Sequence, residues 1–140
     1  MGTRSITHIK NEQGIVLLSI YRQYDGYPTG QGRDIKECFA GKHLVDGYTS
    51  KDSHLQVNGM DRAAIMLAGH LNKPDDPGGV YAAVPGRDNM WCEFTYTLGR
   101  RGNAFHLRVE MSDPSMVTLY DGPLEDFNPE KAEEKAEEQV

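Results

Sequence analysis

Ser5 to Lys10 interleaves the β-branched residues Ile6, Thr7 and Ile9 with polar ones, which predicts a first β-strand. Asn11-Glu12-Gln13-Gly14 then supplies a hairpin loop, and the apolar run opening Ile15 to Gln23 predicts a second strand buried on both faces. The period next becomes helical. Ile35, Cys38 and Phe39 fall at i, i+3 and i+4, so a short helix is predicted from Gly30 or Gly32 through Ala40, with Gly41 as its stop. Residues 42–57 give mixed signals and are assigned no element. Asn58 reads as an N-cap with Asp61 three residues on, and Met60, Ala63, Ala64, Leu67 and Leu71 keep helical spacing. The prolines and glycines of 72–79 forbid continuation, so a mobile loop is predicted there.

A β-like pattern returns after Val84-Pro85-Gly86. Trp91 to Leu98 and Asn103 to Met111 predict a second hairpin around Gly99-Arg100-Arg101-Gly102. Cys92, Phe94, Tyr96 and Leu98 on the first strand, and Phe105, Leu107, Val109 and Met111 on the second, are expected to face the helices. A turn at Ser112-Asp113-Pro114, a fifth strand at Met116 to Tyr120, and a turn at Asp121-Gly122-Pro123 precede Leu124 and Phe127. The expectation is therefore α+β: a largely antiparallel sheet of about five strands with two helices packed mainly on one face. The other face would be wet or pair in a homo-oligomer. Residues 1–128 form one domain in this reading. Residues 129–140 are good helix formers without an apolar stripe, so they are expected as a solvated, frayed helix in an acidic C-terminal tail, with an acidic docking tail as the alternative.

Composition narrows the partners. The 140 residues are 38% hydrophobic and 26% charged, as in a soluble globular domain, and no run approaches a membrane span. The N-terminal residues lack an apolar signal region, so a cytoplasmic location is expected. The net charge of −6 resides entirely from Asp121 onward, where eight acids meet two lysines. Residues 1–120 are neutral, with 13 acids and 13 bases, which argues against a generic nucleic-acid surface. Cys38 and Cys92 lie far apart and are expected as core thiols. His8, His43, His54, His70 and His106 show no metal-ligand spacing, so neither metal nor cofactor is signalled.

The densest chemistry lies between the second strand and the first helix, in Tyr21-Arg22-Gln23-Tyr24-Asp25-Gly26-Tyr27-Pro28-Thr29-Gly30-Gln31-Gly32. This segment, the opening Met1-Gly2-Thr3-Arg4-Ser5 and, more loosely, Tyr120 to Phe127 resemble a family of small bacterial and phage proteins that carries no assigned activity. The resemblance implies a shared domain over residues 1–127 and supplies no catalytic residue.

The residues themselves imply an anion site. Arg22 offers two parallel hydrogen bonds to a phosphate or carboxylate, or else pairs with Asp25 or a backbone carbonyl. Tyr24 and Tyr27 offer rings to a planar group, while Tyr21 is expected in the core. Gly30 and Gly32 permit close backbone approach, though Gly-x-Gly alone is no dinucleotide fingerprint. Asp25-Gly26 and Tyr27-Pro28 also suit the geometry of a corner. Arg4 would add a second cation, and Arg100 and Arg101 are expected at an exposed hairpin tip. The expected site is thus Arg4, Arg22, Tyr24, Asp25, Tyr27, Gly30 and Gly32, binding a small anionic, nucleotide-like ligand without catalysis; in a phage, sequestration of a host signalling nucleotide would fit. Two alternatives stand beside it. One is a small phosphoester or nucleotide hydrolase using Asp25 with His8 or His106 and Ser5 or Thr7 as nucleophile. The other is a protein–protein interaction module or inhibitor using the tyrosine-rich corner.

Overall fold

The computed structural model describes residues 2–49, 53–73, 75, 79–88, 91–112 and 116–139. The expected α+β class is what it shows. Strands β1 (Ser5–Lys10), β2 (Val16–Arg22), β5 (Val80–Ala83), β6 (Phe94–Arg101), β7 (Ala104–Met111) and β8 (Val117–Pro123) build one sheet in the order β5-β2-β1-β6-β7-β8. Strands β3 (His43–Val45) and β4 (Gln56–Asn58) form a separate parallel pair. Helices α1 (Arg33–Cys38), α2 (Gly59–Leu71) and α3 (Pro129–Glu137) complete the fold. Every neighbouring pair in the large sheet is antiparallel except β1 and β6, which run parallel with Ser5 opposite Phe94.

The opening hairpin forms because Asn11 organises its own turn: its Oδ1 accepts from the N–H groups of Gln13 and Ile15, each at 2.9 Å. The main core fills the helix side of the sheet. Tyr96, Leu98, Leu107 and Val109 from the second hairpin meet Ile9 and Ile20 beneath Ile35, Phe39, Met60, Ala63 and Leu67, and the Phe39 and Phe105 rings stack 4.5 Å apart. Alternation leaves His8, Thr95, Thr97, His106, Arg108 and Glu110 on the opposite face, which carries no helix.

Several expectations change. The sheet, expected with about five strands, has six, because β5, just after the expected loop and in residues to which no element was assigned, joins the edge beside β2. Strand β2 is not buried on both faces: Ile15 and Leu17 are exposed, because the helix-free face leaves them uncovered. Cys92 is buried but lies outside the main core, near Arg4 and Glu93; burial pushes its thiol and that of Cys38 up to about 11. Asn58 precedes α2, but its side chain accepts from the Gly47 N–H, and the α2 amide of Met60 donates instead to Glu12 of the hairpin loop at 3.0 Å. Residues Asp121 to Pro123 extend β8 rather than turning.

Arg100 is not an exposed tip residue. Its side chain is 8% exposed and spans Glu12, Asp46 and Asn103, tying the first hairpin and the loop after β3 to the second hairpin. The C-terminal residues are not a solvated tail either. Helix α3 starts at Pro129, is capped by the Asn128 side chain accepting from the Lys131 N–H, and buries Pro129, Ala132 and Ala136. The two alanines lie one turn apart, so they bury one narrow stripe of the helix. No helix among the described residues is long and apolar enough to cross a membrane. Expectations for Met1, the turn at 113–114, residues 50–52 and most of the 74–78 loop fall outside the described residues.

Candidate functional site

The chain leaves β2 at Arg22 and turns sharply. Asp25 takes a left-handed backbone (φ 60°), which costs a non-glycine residue about 1 kcal/mol or more. Gly26 follows, pressed so close to β1 that a Cβ would lie 2.7 Å from the Arg4 carbonyl carbon and the Ser5 nitrogen. Its N–H donates to the Thr3 carbonyl at 2.9 Å, and its carbonyl accepts from the buried Tyr96 hydroxyl at 2.7 Å. The corner is thereby pinned to both central strands.

Pro28–Gly32 then forms one wide π-helical turn leading into α1. Its glycines serve the chain itself. A side chain on Gly30 would run into the Asp25 carbonyl, which accepts from the Gln31 N–H at 2.9 Å. A Cβ on Gly32 would press the Phe127 ring at 3.0 Å. The Gly30 N–H donates to the Tyr27 carbonyl, and that of Arg33 to Gly30 and Pro28. These amides hold the turn, not a phosphate.

The start of the turn does receive an anion, from within the molecule. Glu133 of α3 reaches over, and its Oε1 accepts from the Thr29 N–H at 3.1 Å and from the Thr29 hydroxyl at 2.7 Å. Arg33 pairs with Glu130 on the same helix, and the Lys36 ammonium donates to the Phe127 carbonyl. The acidic segment therefore docks on the basic side of α1.

Arg22 lies between sheet and helix with its side chain 16% exposed. Its Nε donates to the Tyr24 carbonyl at 2.7 Å, and Nη1 to Gln31 Oε1 at 2.8 Å and to Asp34 Oδ2 at 2.6 Å. Asp25 is a more distant partner, 4.0 Å from Nη2. Gln31, fully buried, passes the network on by donating to Thr7 Oγ1 at 2.9 Å. Asp34 was invisible as a partner because it sits twelve residues on, across the turn.

The other expected site residues scatter. Arg4 bonds Glu93 through its backbone N–H (2.7 Å) and guanidinium (3.4 Å), on the side of β1 away from Arg22, so the two arginines do not form one patch. Tyr21 is not core: it is partly exposed on the helix-free face, donates to Gln23 Oε1 at 2.5 Å, and lies 6.0 Å from the Tyr81 ring. Tyr24 is exposed against Gly2. Tyr27 stays at the corner, donating to Asp25 Oδ1 at 3.0 Å; that bond to a carboxylate, together with the negative charge itself, raises its phenol above the usual range.

What remains is a cleft of about 480 Å³ lined by Arg22, Asp25, Tyr27, Thr29, Gly30, Arg33 and Asp34, with Leu71, Lys73 and Val80 on the far wall. Arg33 and Lys73 were missed in the sequence because one heads a helix and the other follows a different one. Neither has a local pattern that distinguishes it from a surface cation.

The proposed catalytic pairs are not assembled at this corner. Ser5 is fully buried and its hydroxyl has no partner, Thr7 accepts from Gln31, and both face the helix side. His8 and His106 lie on the opposite face, the first 2.7 Å from Ser19 Oγ and the second 2.5 Å from Asp121 Oδ1. Burial lowers the His8 ring below its usual range, and the hydrogen bond from His106 lowers the Asp121 carboxyl. No family model matches the chain, and neither a curated protein nor a solved structure does.

Proposed function

We propose that the protein binds a small anionic ligand in the cleft between the β2–α1 corner and the end of α2, without catalysis. The observation that carries this reading is the cleft lining itself: Arg22, Arg33 and Lys73 border one hollow with the Tyr27 ring at its rim. Arg22 is held rigid by Gln31 and Asp34, so it presents its remaining donors at little entropic cost. Lys73 is exposed and has no partner among the described residues, which leaves its ammonium available to an anion. A phosphate on the cations and a planar group on Tyr27 describe a nucleotide-like ligand, and about 480 Å³ is within the range of small-molecule sites. The histidines, Ser5 and Thr7 of the hydrolase alternative do not line this cleft, which favours binding over that arrangement.

The test is mass spectrometry of natively purified protein, followed by titration with a nucleotide panel. A co-eluting or titrating nucleotide is expected. Lys73→Ala should weaken it about tenfold or more, the effect of losing a charge-assisted hydrogen bond, at unchanged thermal stability, and Arg33→Ala should weaken it similarly while also releasing Glu130 of α3. Arg22→Ala is the poorer probe because it also releases Gln31 and Asp34. Absence of binding across the panel would overturn the reading, and turnover of a nucleotide would replace it with a hydrolase.

A further inference from the structure

Helix α1 and the last turn of α2 lie side by side, and three potential ligands meet where they touch. Asp34 and Glu37 stand one turn apart on α1, on the same side of that helix. His70 comes from α2. One carboxylate oxygen from each acid and one ring nitrogen of His70 all lie within 4.8 Å of one another.

Two further observations show that this group is unfinished as it stands. The Nε2 atom of His70 is shut off from solvent yet has no hydrogen-bond partner, an arrangement that ordinarily costs a native protein free energy. The Glu37 carboxylate likewise has no side-chain partner among the described residues, although it stands beside a second carboxylate. Asp34 is the exception. Its Oδ2 accepts from Arg22 at 2.6 Å, which fixes the carboxylate in place.

We propose that Asp34, Glu37 and His70 bind a divalent transition-metal ion. No hydrogen bond joins the three side chains to one another, and a central cation with bonds of about 2.0–2.2 Å would hold their ligand atoms together. Glu37 is exposed and has the rotamer freedom to close the gap. One imidazole nitrogen with two carboxylate oxygens suits Zn²⁺, Mn²⁺ or Fe²⁺ better than Mg²⁺ or Ca²⁺, which prefer all-oxygen shells. Of the two carboxylates only Asp34 has a cation bonded to it, the Arg22 guanidinium, which leaves the Glu37 carboxylate to be neutralised by the ion. Arg22 then has the place of an outer partner that orients a ligating carboxylate. Three protein ligands leave open positions for water. The proposal stands independently of what occupies the neighbouring cleft, whose lining it shares only through Asp34.

The probe is the metal alone. Metal-stripped protein is titrated calorimetrically with Zn²⁺ and with Mn²⁺, and Mn²⁺ binding is followed in parallel by electron paramagnetic resonance. One ion per chain is expected, with Mn²⁺ broadening the proton resonances of the His70 ring. Glu37→Gln, at an exposed position that leaves the fold intact, and His70→Asn should each reduce affinity at least tenfold at unchanged circular dichroism. Failure of both ions to bind saturably would overturn the proposal. So would saturable binding that Glu37→Gln leaves unchanged, because the ion would then sit elsewhere.

Discussion

Gly30 and Gly32 look alike in the sequence and do different things in space. Gly30 admits the Asp25 carbonyl of its own turn, while Gly32 admits the Phe127 ring from the far end of the chain. Gly30→Ala should therefore prevent the turn from closing, and Gly32→Ala should cost about 1–3 kcal/mol through overpacking; thermal melts of the two variants check that order. The spacing of these glycines correctly signals close approach. It cannot say what approaches, because both partners are set by tertiary structure. Arg100 teaches the same lesson, since a Gly-Arg-Arg-Gly tip reads as solvent-facing until Glu12 and Asp46 arrive from other elements. Arg100→Ala should cost about 1–2 kcal/mol in chemical denaturation. His8 gives a signed pH effect. Its folded value lies below the ordinary 6.5 because of burial, so below pH 6.5 the unfolded chain takes up a proton that the native state resists. Stability should fall as pH drops from 6.5 towards the folded value, and His8→Gln should flatten that slope in melts between pH 7.5 and 5.5.

Among elements, the strongly patterned ones were legible and the ones that depend on a distant partner were not. Helix α2 and the hairpin of β6 and β7 carry periods of 3.6 and two that helical spacing and alternation reveal directly, and β1 shows itself by its β-branched residues. Strand β5 has four residues, follows a glycine and ends two residues before Pro85, and only its pairing with β2 makes it a strand. Helix α3 is the larger surprise. Its apolar content is two alanines and a leading proline, too little to signal burial, yet it packs against the Pro28–Gly32 turn and β8. The same element supplies Glu133 to the Thr29 N–H and Glu130 to Arg33. Ending the chain after Asn128 should thus remove both packing and a turn cap, lowering stability by about 2–3 kcal/mol and the melting temperature by about 5–10 °C. Hydrogen exchange should speed up first at Thr29, because its amide loses its acceptor. The candidate site was legible only in its nearest-neighbour part: Arg22, Asp25 and Tyr27 come from one segment, whereas Arg33 reaches the same region from α1, His70 from α2 and Lys73 from just after α2.

For the whole molecule, the decisive contact is the parallel pairing of β1 with β6, which joins Ser5 to Phe94 across most of the chain. Such non-local pairing pays its loop-closure cost before most of the core can form, so refolding in the millisecond-to-second range is expected by stopped flow rather than microsecond folding. The seam also divides the sheet by chain order. Strands β5, β2 and β1 all come from residues before Val84, and β6, β7 and β8 all come after Trp91. Each half is a set of hydrogen-bonded neighbours, and between the halves run the Tyr96–Gly26 and Glu133–Thr29 hydrogen bonds, together with the packing of Phe127 on Gly32. The exposed stretch from Pro85 to Asp88 is thus a natural place to sever the polypeptide. Two separately encoded pieces, 1–88 and 89–140, should find each other and rebuild the sheet, detectable as co-purification with a single melting transition. With the chain intact, the same reciprocity gives two molecules a route to exchange halves, so a concentrated refolding mixture should contain an intertwined dimer that dilution does not readily separate.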